Sequence, residues 1–119
     1  MSYEFKSKFA NPHFEAVFDV TPQEVKDFAS ELTLIDVRQP EEYTGELGHI
    51  AGSQLIVLNE LPDQLNTIPK DKPIVFICRS GMRSAQACQY AHSKGFSQTF
   101  NMLGGMLAWN QLAFPTINN

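Results

Sequence analysis

The chain of 119 residues lacks an excess of positive charge, since nine basic and thirteen acidic residues give a formal net charge of −4 at pH 7. A nucleic-acid binder needs a dense basic face to neutralise phosphates, so we expect no nucleic-acid partner. Long apolar runs are also missing, and we therefore expect no membrane partner and no membrane-spanning segment. Residues 1–6 do not contain the apolar core of a secretory signal, which makes the cytoplasm the expected location.

Cysteine is scarce, with only Cys78 and Cys88 in the chain. A helix over residues 82–94 would turn these two side chains onto different sides, so we predict no disulfide. There is no C-x-x-C pair and no cluster of cysteine and histidine, and we predict neither a metal site nor a cofactor. Cys88 shares a helix face with alanines and is interpreted as core packing. Reduced thiols are consistent with the cytoplasm.

Internal repeats, low-complexity tracts and linker-like stretches are absent as well. The length suits one domain with a real hydrophobic core. We expect residues 15–119 to form that domain. Residues 1–14 mix polar and aromatic side chains and are expected to form a loosely attached arm. Its aromatic residues leave open whether the arm contacts the domain or a partner.

Short apolar runs alternate with helical patterns along the chain. The apolar runs predict strands over residues 32–37, 54–58, 73–77 and 96–102, and a short edge strand within 14–20. The helical patterns cover residues 21–30, 41–47, 59–68, 82–94 and 106–112. The first of these helices begins with Thr21 as its N-cap, and Glu24 is expected to complete a capping box. This alternation predicts an α/β fold with a largely parallel sheet.

The most informative residue is Cys78, which follows the predicted strand 73–77 and leads into the predicted helix. Unpaired N–H groups at the helix start, the helix dipole, and the nearby Arg79 and Arg83 would all favour a thiolate. Gly81 permits the sharp turn in which successive N–H groups surround an anion. The sequence therefore predicts a cradle for a negatively charged sulfur. The simpler alternative is an ordinary apolar cysteine at the end of a core strand.

A second group of polar residues lies at the end of the predicted strand 32–37. Ligands of parallel sheets bind beyond the carboxyl ends of the strands, so Asp36 and Arg38 are expected to support the same pocket as Cys78. We expect Asp36 to accept hydrogen bonds from loop amides. We expect Arg38 to pair with an acid such as Glu42.

Residues 78–84 resemble the active-site loop of the rhodanese family, the thiosulfate:cyanide sulfurtransferases. Further segments that resemble the family in order and spacing are residues 34–38, 41–43, 48–53 and 101–106, with Trp109. The resemblance covers residues 20–112. It implies a rhodanese fold, with helices on both faces of a central, mostly parallel sheet.

The resemblance also implies a role for the loop. Cys78 would carry a persulfide during turnover, and the remaining loop residues would bind the substrate, namely Arg79, Ser80, Gly81, Met82, Arg83 and Ser84. The leading hypothesis is therefore a sulfurtransferase that takes sulfur from a small anionic donor such as thiosulfate. The acceptor would be a thiophile, with protein thiols among the candidates.

Two alternatives remain open on the sequence. One is a sulfur carrier or interaction module that takes sulfur only from a partner protein. The other is a cysteine-dependent phosphatase, a class that places arginine after five residues following the cysteine. Arg83 follows Cys78 after four residues, and the shorter loop favours a single sulfur over a phosphoryl group.

Overall fold

The computed structural model describes residues 3–119. Within them, six strands form one sheet: β1 Lys8–Ala10, β2 Phe18–Val20, β3 Thr33–Asp36, β4 Gln54–Leu55, β5 Ile74–Ile77 and β6 Thr99–Met102. The strand order is β1-β2-β6-β5-β3-β4. The β1–β2 pair is antiparallel, and the other four pairs are parallel. The predicted α/β fold with a mostly parallel sheet is confirmed.

Helices connect the strands. They are α1 Pro22–Asp27, α2 Pro40–Tyr43, α3 Leu61–Gln64, α4 Met82–Ser93 and α5 Gly105–Gln111. Short 3-10 turns occupy Ala29–Glu31, Leu58–Glu60 and Leu65–Thr67. None of the helices in residues 3–119 is both long and apolar enough to cross a membrane.

The sheet is covered by apolar side chains on both faces. Side chains alternate along each strand, so successive residues of β5 belong to opposite faces. On β5, Ile74 and Phe76 face a cluster that includes the alanines of α4 and the leucines that follow β4. Val75 and Ile77 face the opposite cluster, which includes Val25 of α1 and residues of α5. Helices therefore cover both faces of the sheet, as the family resemblance implied.

Several predicted boundaries were wrong. The first helix ends at Asp27 and gives way to a 3-10 turn, so it does not reach Ser30. The strand predicted over 54–58 is regular only at Gln54–Leu55, although Ile56 N and Leu58 N still donate to backbone carbonyls at and just after the end of β3. The helix predicted over 59–68 is broken into 3-10 and α segments, with Pro62 inside its first α turn. Strand β2 is not at the edge, because β1 pairs with its outer side.

The N-terminal segment contacts the domain through a buried carboxylate. Glu24 accepts hydrogen bonds from the Tyr3 hydroxyl, from Lys6 N at 2.7 Å and from Ser7 N at 3.1 Å. Thr21 caps α1 by accepting from Glu24 N at 3.2 Å. Only this half of the predicted capping box forms, because the Glu24 side chain is occupied by the N-terminal segment. Phe5 of that segment belongs to the core.

The first prediction concerns the Glu24 carboxylate. Burial by itself would raise its pKa, but hydrogen bonds from Ser7, Tyr3 and Lys6 outweigh burial and lower the pKa to about 2. Because the folded pKa is lowered, the stabilisation is complete above an unfolded pKa near 4.5 and is lost as pH falls towards 2. Glu24→Gln should lower the free energy of unfolding at pH 7 by roughly 3 kcal/mol or less.

The measurement is urea denaturation of wild type and Glu24→Gln between pH 7 and pH 2. The difference between them should shrink across the acid range. Glu31→Gln, a change at an exposed acid after the same helix, is the control and should be nearly neutral. A Glu24→Gln effect that does not depend on pH would contradict the role given to the charge.

Candidate active site

The site lies where the carboxyl ends of β3 and β5 meet. Asp36 at the end of β3 is opposite Ile77 at the end of β5. The chain passes from β3 to β4 on one side and then returns to β5 on the other, so a crevice opens between the two strand ends. Cys78 follows β5 directly and therefore lies at this carboxyl edge of the sheet.

The loop after β5 surrounds the Cys78 sulfur with donors. Cys78 is 1% exposed. Its Sγ accepts a hydrogen bond from Gly81 N at 3.1 Å, and the Ser84 hydroxyl lies 3.2 Å from it. Gly81 has φ +105°, a left-handed conformation that turns its N–H back towards the sulfur just before α4 begins. The predicted sharp turn at Gly81 is confirmed.

The start of α5 supports the loop from behind. Met106 N donates to Cys78 O at 2.8 Å, and Leu107 N donates to Arg79 O at 3.0 Å. In a trans peptide the N–H points away from the preceding C=O, so the amides of Arg79 and Ser80 face away from α5. A Cβ on Gly105 would lie 2.5 Å from both carbonyl oxygens, so only glycine fits between α5 and the loop.

The two loop arginines have different surroundings. Arg83 forms a two-pronged ion pair with Glu42, with Nη1–Oε1 at 2.7 Å and Nη2–Oε2 at 2.9 Å. This pairing lowers the pKa of Glu42 to about 2 and raises that of Arg83. Arg79 is exposed and lines an open cavity of about 370 Å³ together with Glu41, Leu107 and others. Arg83 lines a separate cavity of about 480 Å³ with Gln39 and Tyr90, so both loop arginines border open space, and the difference between them is that Arg83 is paired with Glu42.

Arg38 pairs with an acid, as predicted, but that acid is not Glu42. Arg38 instead pairs with Asp36 at 2.9 Å, and both side chains are 1% exposed. Asp36 is only two residues away at the strand end, and the Glu42 carboxylate is already held by Arg83. Arg38 also donates to Gly48 O at 2.7 Å and Glu42 O at 3.2 Å. Asp36 accepts from Arg38 N at 3.1 Å, as predicted for a carboxylate that bonds a loop amide.

The remaining loop residues differ in solvent exposure. Ser80 and Met82 are exposed, and Met82 has 50% of its surface accessible. Ser84 is fully buried. The structure therefore brings Gly81 and Ser84 to the sulfur and leaves Arg79, Ser80 and Met82 at the rim.

A buried polar chain behind Ser84 was missed by sequence reasoning. The Ser84 hydroxyl is hydrogen-bonded to Asn101 Oδ1. Asn101 Nδ2 donates to Asp19 Oδ1 at 2.9 Å, and Asn11 Nδ2 donates to the same oxygen at 3.0 Å. Asp19 and Asn101 are partners in the β2–β6 register, which places them on one face. The signal available in the sequence was Asn101 itself, which lies between Phe100 and Met102 at the end of β6.

Two other candidate residues are structural. Cys88 is fully buried, and burial raises its pKa to about 11, which makes it a poor nucleophile. Its interpretation as core packing is confirmed. His49 stacks on Tyr43 at a centroid distance of 3.6 Å and shares a hydrogen bond with Tyr43 O. Among residues 3–119, no three His, Cys, Asp or Glu side chains come close enough to hold a metal ion.

Comparison with known proteins identifies the same architecture elsewhere. The model of the rhodanese-like domain family matches residues 21–112. Bacillus subtilis YtwF, provisionally named a sulfurtransferase, is 48% identical over 79 residues, which cover 66% of this chain and 74% of that protein. The thiosulfate sulfurtransferase GlpE of Ectopseudomonas mendocina is 30% identical over 98 residues, with coverage of 82% and 87%.

A solved structure is similar over most of the chain. The rhodanese-related protein of Thermoplasma volcanium superimposes with a TM-score of 0.79 and 27% identity. The alignment covers 85% of this chain and 98% of that one. The fold and its family are therefore shared along nearly the entire domain.

The second prediction tests the support of the loop by α5. Gly105→Ala should be strongly destabilising, because its Cβ would collide with the carbonyls of Cys78 and Arg79. Gly95→Ala is the matched control, since Gly95 also has positive φ but nothing lies within 4 Å of its Cβ. We expect a loss of about 1 kcal/mol for Gly95→Ala and at least about 2 kcal/mol more for Gly105→Ala.

The free energies are measured by urea denaturation, and the accessibility of Cys78 by thiol titration of the folded proteins. Gly105→Ala should also expose the thiol, because the loop must move to relieve the collision. Equal losses for the two variants would show that backbone conformation alone, and not the contact with the loop, requires glycine at position 105.

Proposed function

Because the chain belongs to the rhodanese-like domain family and its named relatives are sulfurtransferases, we propose that it transfers sulfane sulfur through a persulfide on Cys78. The observation that carries the proposal is the cradle at Cys78. The sulfur lies between the carboxyl end of β5 and the start of α4, and a backbone N–H at 3.1 Å faces it. Such donors stabilise negative charge on sulfur wherever it develops in the cycle.

The reaction has two halves. In the first, the Cys78 thiolate attacks the outer sulfur of thiosulfate; a new S–S bond forms, and sulfite leaves with the electron pair of the broken bond. The product is a persulfide whose outer sulfur carries the charge. In the second half, a thiophilic acceptor attacks that outer sulfur, and the electron pair of the cysteine–sulfur bond returns to Cys78 Sγ. No metal or cofactor is needed in either half.

The environment of the loop favours sulfur over phosphate. Four residues separate Cys78 from Arg83, and the Arg83 guanidinium is directed to Glu42 with both of its terminal nitrogens. A phosphoryl group carries three oxygens that need donors at once. The loop supplies a donor to a single sulfur, which argues against the phosphatase alternative.

Arg79 is proposed to attract the anionic donor. It is exposed on the cavity of about 370 Å³, whereas Arg38 is buried with Asp36 and Arg83 is held by Glu42. Both loop arginines are expected from the sequence to bind substrate, with Arg83 slightly favoured, whereas this proposal assigns the larger part to Arg79. The acceptor is proposed to be a thiophile, with the thiols of small molecules and of proteins among the candidates. Because the chemistry needs a reduced thiol, we propose the cytoplasm as the location.

The third prediction is that Cys78→Ser abolishes sulfur transfer from thiosulfate to cyanide, since a hydroxyl cannot hold a persulfide. Cys88→Ala is the control and should retain activity, because Cys88 is buried in the core. Turnover is followed by thiocyanate formation. Intact mass after thiosulfate treatment should rise by one sulfur atom, reversibly with reductant, in wild type and Cys88→Ala only.

Persistence of transfer in Cys78→Ser would overturn the assignment of the nucleophile. Sulfur uptake from a persulfidated protein but never from thiosulfate would favour the alternative of a sulfur carrier that is loaded by a partner.

The fourth prediction concerns the ion pair between Glu42 and Arg83. Glu42→Gln should release Arg83 towards the loop and raise kcat/KM for anionic thiosulfate by about fivefold at low salt. The gain should fall with ionic strength. A neutral sulfur donor should show no such gain, because the added attraction is to charge.

Glu41→Gln is the matched control, since Glu41 lies beside Glu42 on α2 and is exposed. It removes the same charge from the same cavity but does not release Arg83. If both variants gain equally, the effect is general electrostatics of the cavity, and Glu42 has no specific role in holding Arg83 away from the donor.

A further inference from the structure

Ser84 touches the reacting sulfur from inside the protein. It is fully buried, and its hydroxyl lies 3.2 Å from Cys78 Sγ while also being hydrogen-bonded to Asn101 Oδ1. A serine hydroxyl has one proton and can accept further bonds through its oxygen. Its proton is therefore available to whichever of the two neighbours, the sulfur or the amide oxygen, is the stronger acceptor.

The orientation of the Asn101 amide is determined by its other partners. Nδ2 donates to Asp19 Oδ1 at 2.9 Å and to Gly81 O at 3.1 Å. A carboxylate and a backbone carbonyl cannot donate in return, so the nitrogen must face them. The oxygen of the amide must consequently face Ser84.

Asn101 also removes an alternative partner of Ser84. A serine in a helix commonly turns its hydroxyl to a carbonyl one turn back along the chain. Here the carbonyl three residues before, Gly81 O, already accepts from Ala85 N at 3.3 Å and from Asn101 Nδ2. The amide nitrogen of Asn101 thus donates to Gly81 O, the competing acceptor. Its amide oxygen keeps the Ser84 hydroxyl beside the sulfur.

We propose that Ser84 hydrogen-bonds Cys78 Sγ as this sulfur leaves the persulfide, and that Asn101, fixed by Asp19, is the positioning residue for that hydroxyl. The inference rests on the proposed function. In the discharge step the acceptor's electron pair forms a bond to the outer sulfur, the cysteine–sulfur bond breaks, and its pair passes to Sγ as a thiolate. The Ser84 proton then turns to this thiolate, and Asn101 Oδ1 loses its donor for the duration of the step.

The role is specific to discharge. A hydrogen bond that stabilises the thiolate makes it a better leaving group. In loading, Cys78 is the attacking group, and the same bond does not speed the attack, because a stabilised thiolate is a weaker nucleophile. The group that leaves during loading is sulfite, on the far side of the attacked sulfur. Removal of the hydroxyl should therefore slow discharge much more than loading.

The test measures the two half-reactions separately. Enzyme is loaded with excess thiosulfate, and uptake of one sulfur is followed by intact mass; the isolated persulfide is then mixed with cyanide, and thiocyanate is followed in a single turnover. Ser84→Ala should discharge about tenfold more slowly, the usual effect of removing a hydrogen bond to a charged group. Its loading rate should change by about threefold or less, since nucleophilicity follows only about half of a change in thiolate stability. Ser93→Ala, on the same helix but bonded to Tyr90 O, should match wild type in both steps.

Asn101→Ala should slow discharge by a similar factor in the wild-type background and add nothing in the Ser84→Ala background. If Asn101→Ala does not fold, the Ser84→Ala result alone decides. Unchanged discharge in Ser84→Ala, equal slowing of both halves, or additive effects of the two changes would overturn the inference. A wild type that takes up no sulfur would overturn the proposed function, and this inference with it.

Discussion

The site depends on two backbone hydrogen bonds between the cysteine loop and the start of α5. They turn the carbonyls of Cys78 and Arg79 towards Met106 N and Leu107 N, at 2.8 and 3.0 Å, and so turn the following amides away from α5. A loop of free carbonyls around the thiol would repel the anion that the thiol must become. Glycine at position 105 permits this contact, because any side chain there would separate α5 from the loop.

Charge around the crevice is arranged in pairs, so that few groups remain free to meet a substrate. Asp36 neutralises Arg38 inside the domain, and Glu42 holds Arg83 at its edge. The first pair is buried, where removal of one partner would leave an unpaired charge. The second is partly exposed and weaker, and it is the pair that can open to admit an anion. Among residues 3–119, Arg79 forms no salt bridge, and it is the exposed arginine of the cavity that Glu41 also lines.

A chain of buried polar side chains runs from the sulfur into the sheet. Ser84, Asn101 and Asp19 are each at most 3% exposed, and their burial is tolerable only because every member has a partner. Asn11, just after β1, supplies the last donor to Asp19. The N-terminal segment, which Glu24 fastens to the domain, is therefore connected to the site through hydrogen bonds and not only through packing.

The sequence by itself determined the α/β class, the order along the chain of the helices and of every strand except β1, and the Cys78 loop with its turn at Gly81. These follow from apolar periodicity and from local backbone preferences, which neighbouring residues express directly. Only the tertiary structure decided that Glu42 pairs with Arg83 and Arg38 with Asp36, that Glu24 binds the N-terminal segment, and that Asn101 reaches Ser84. The choice among several nearby partners depends on strand register and helix placement, which no local pattern contains.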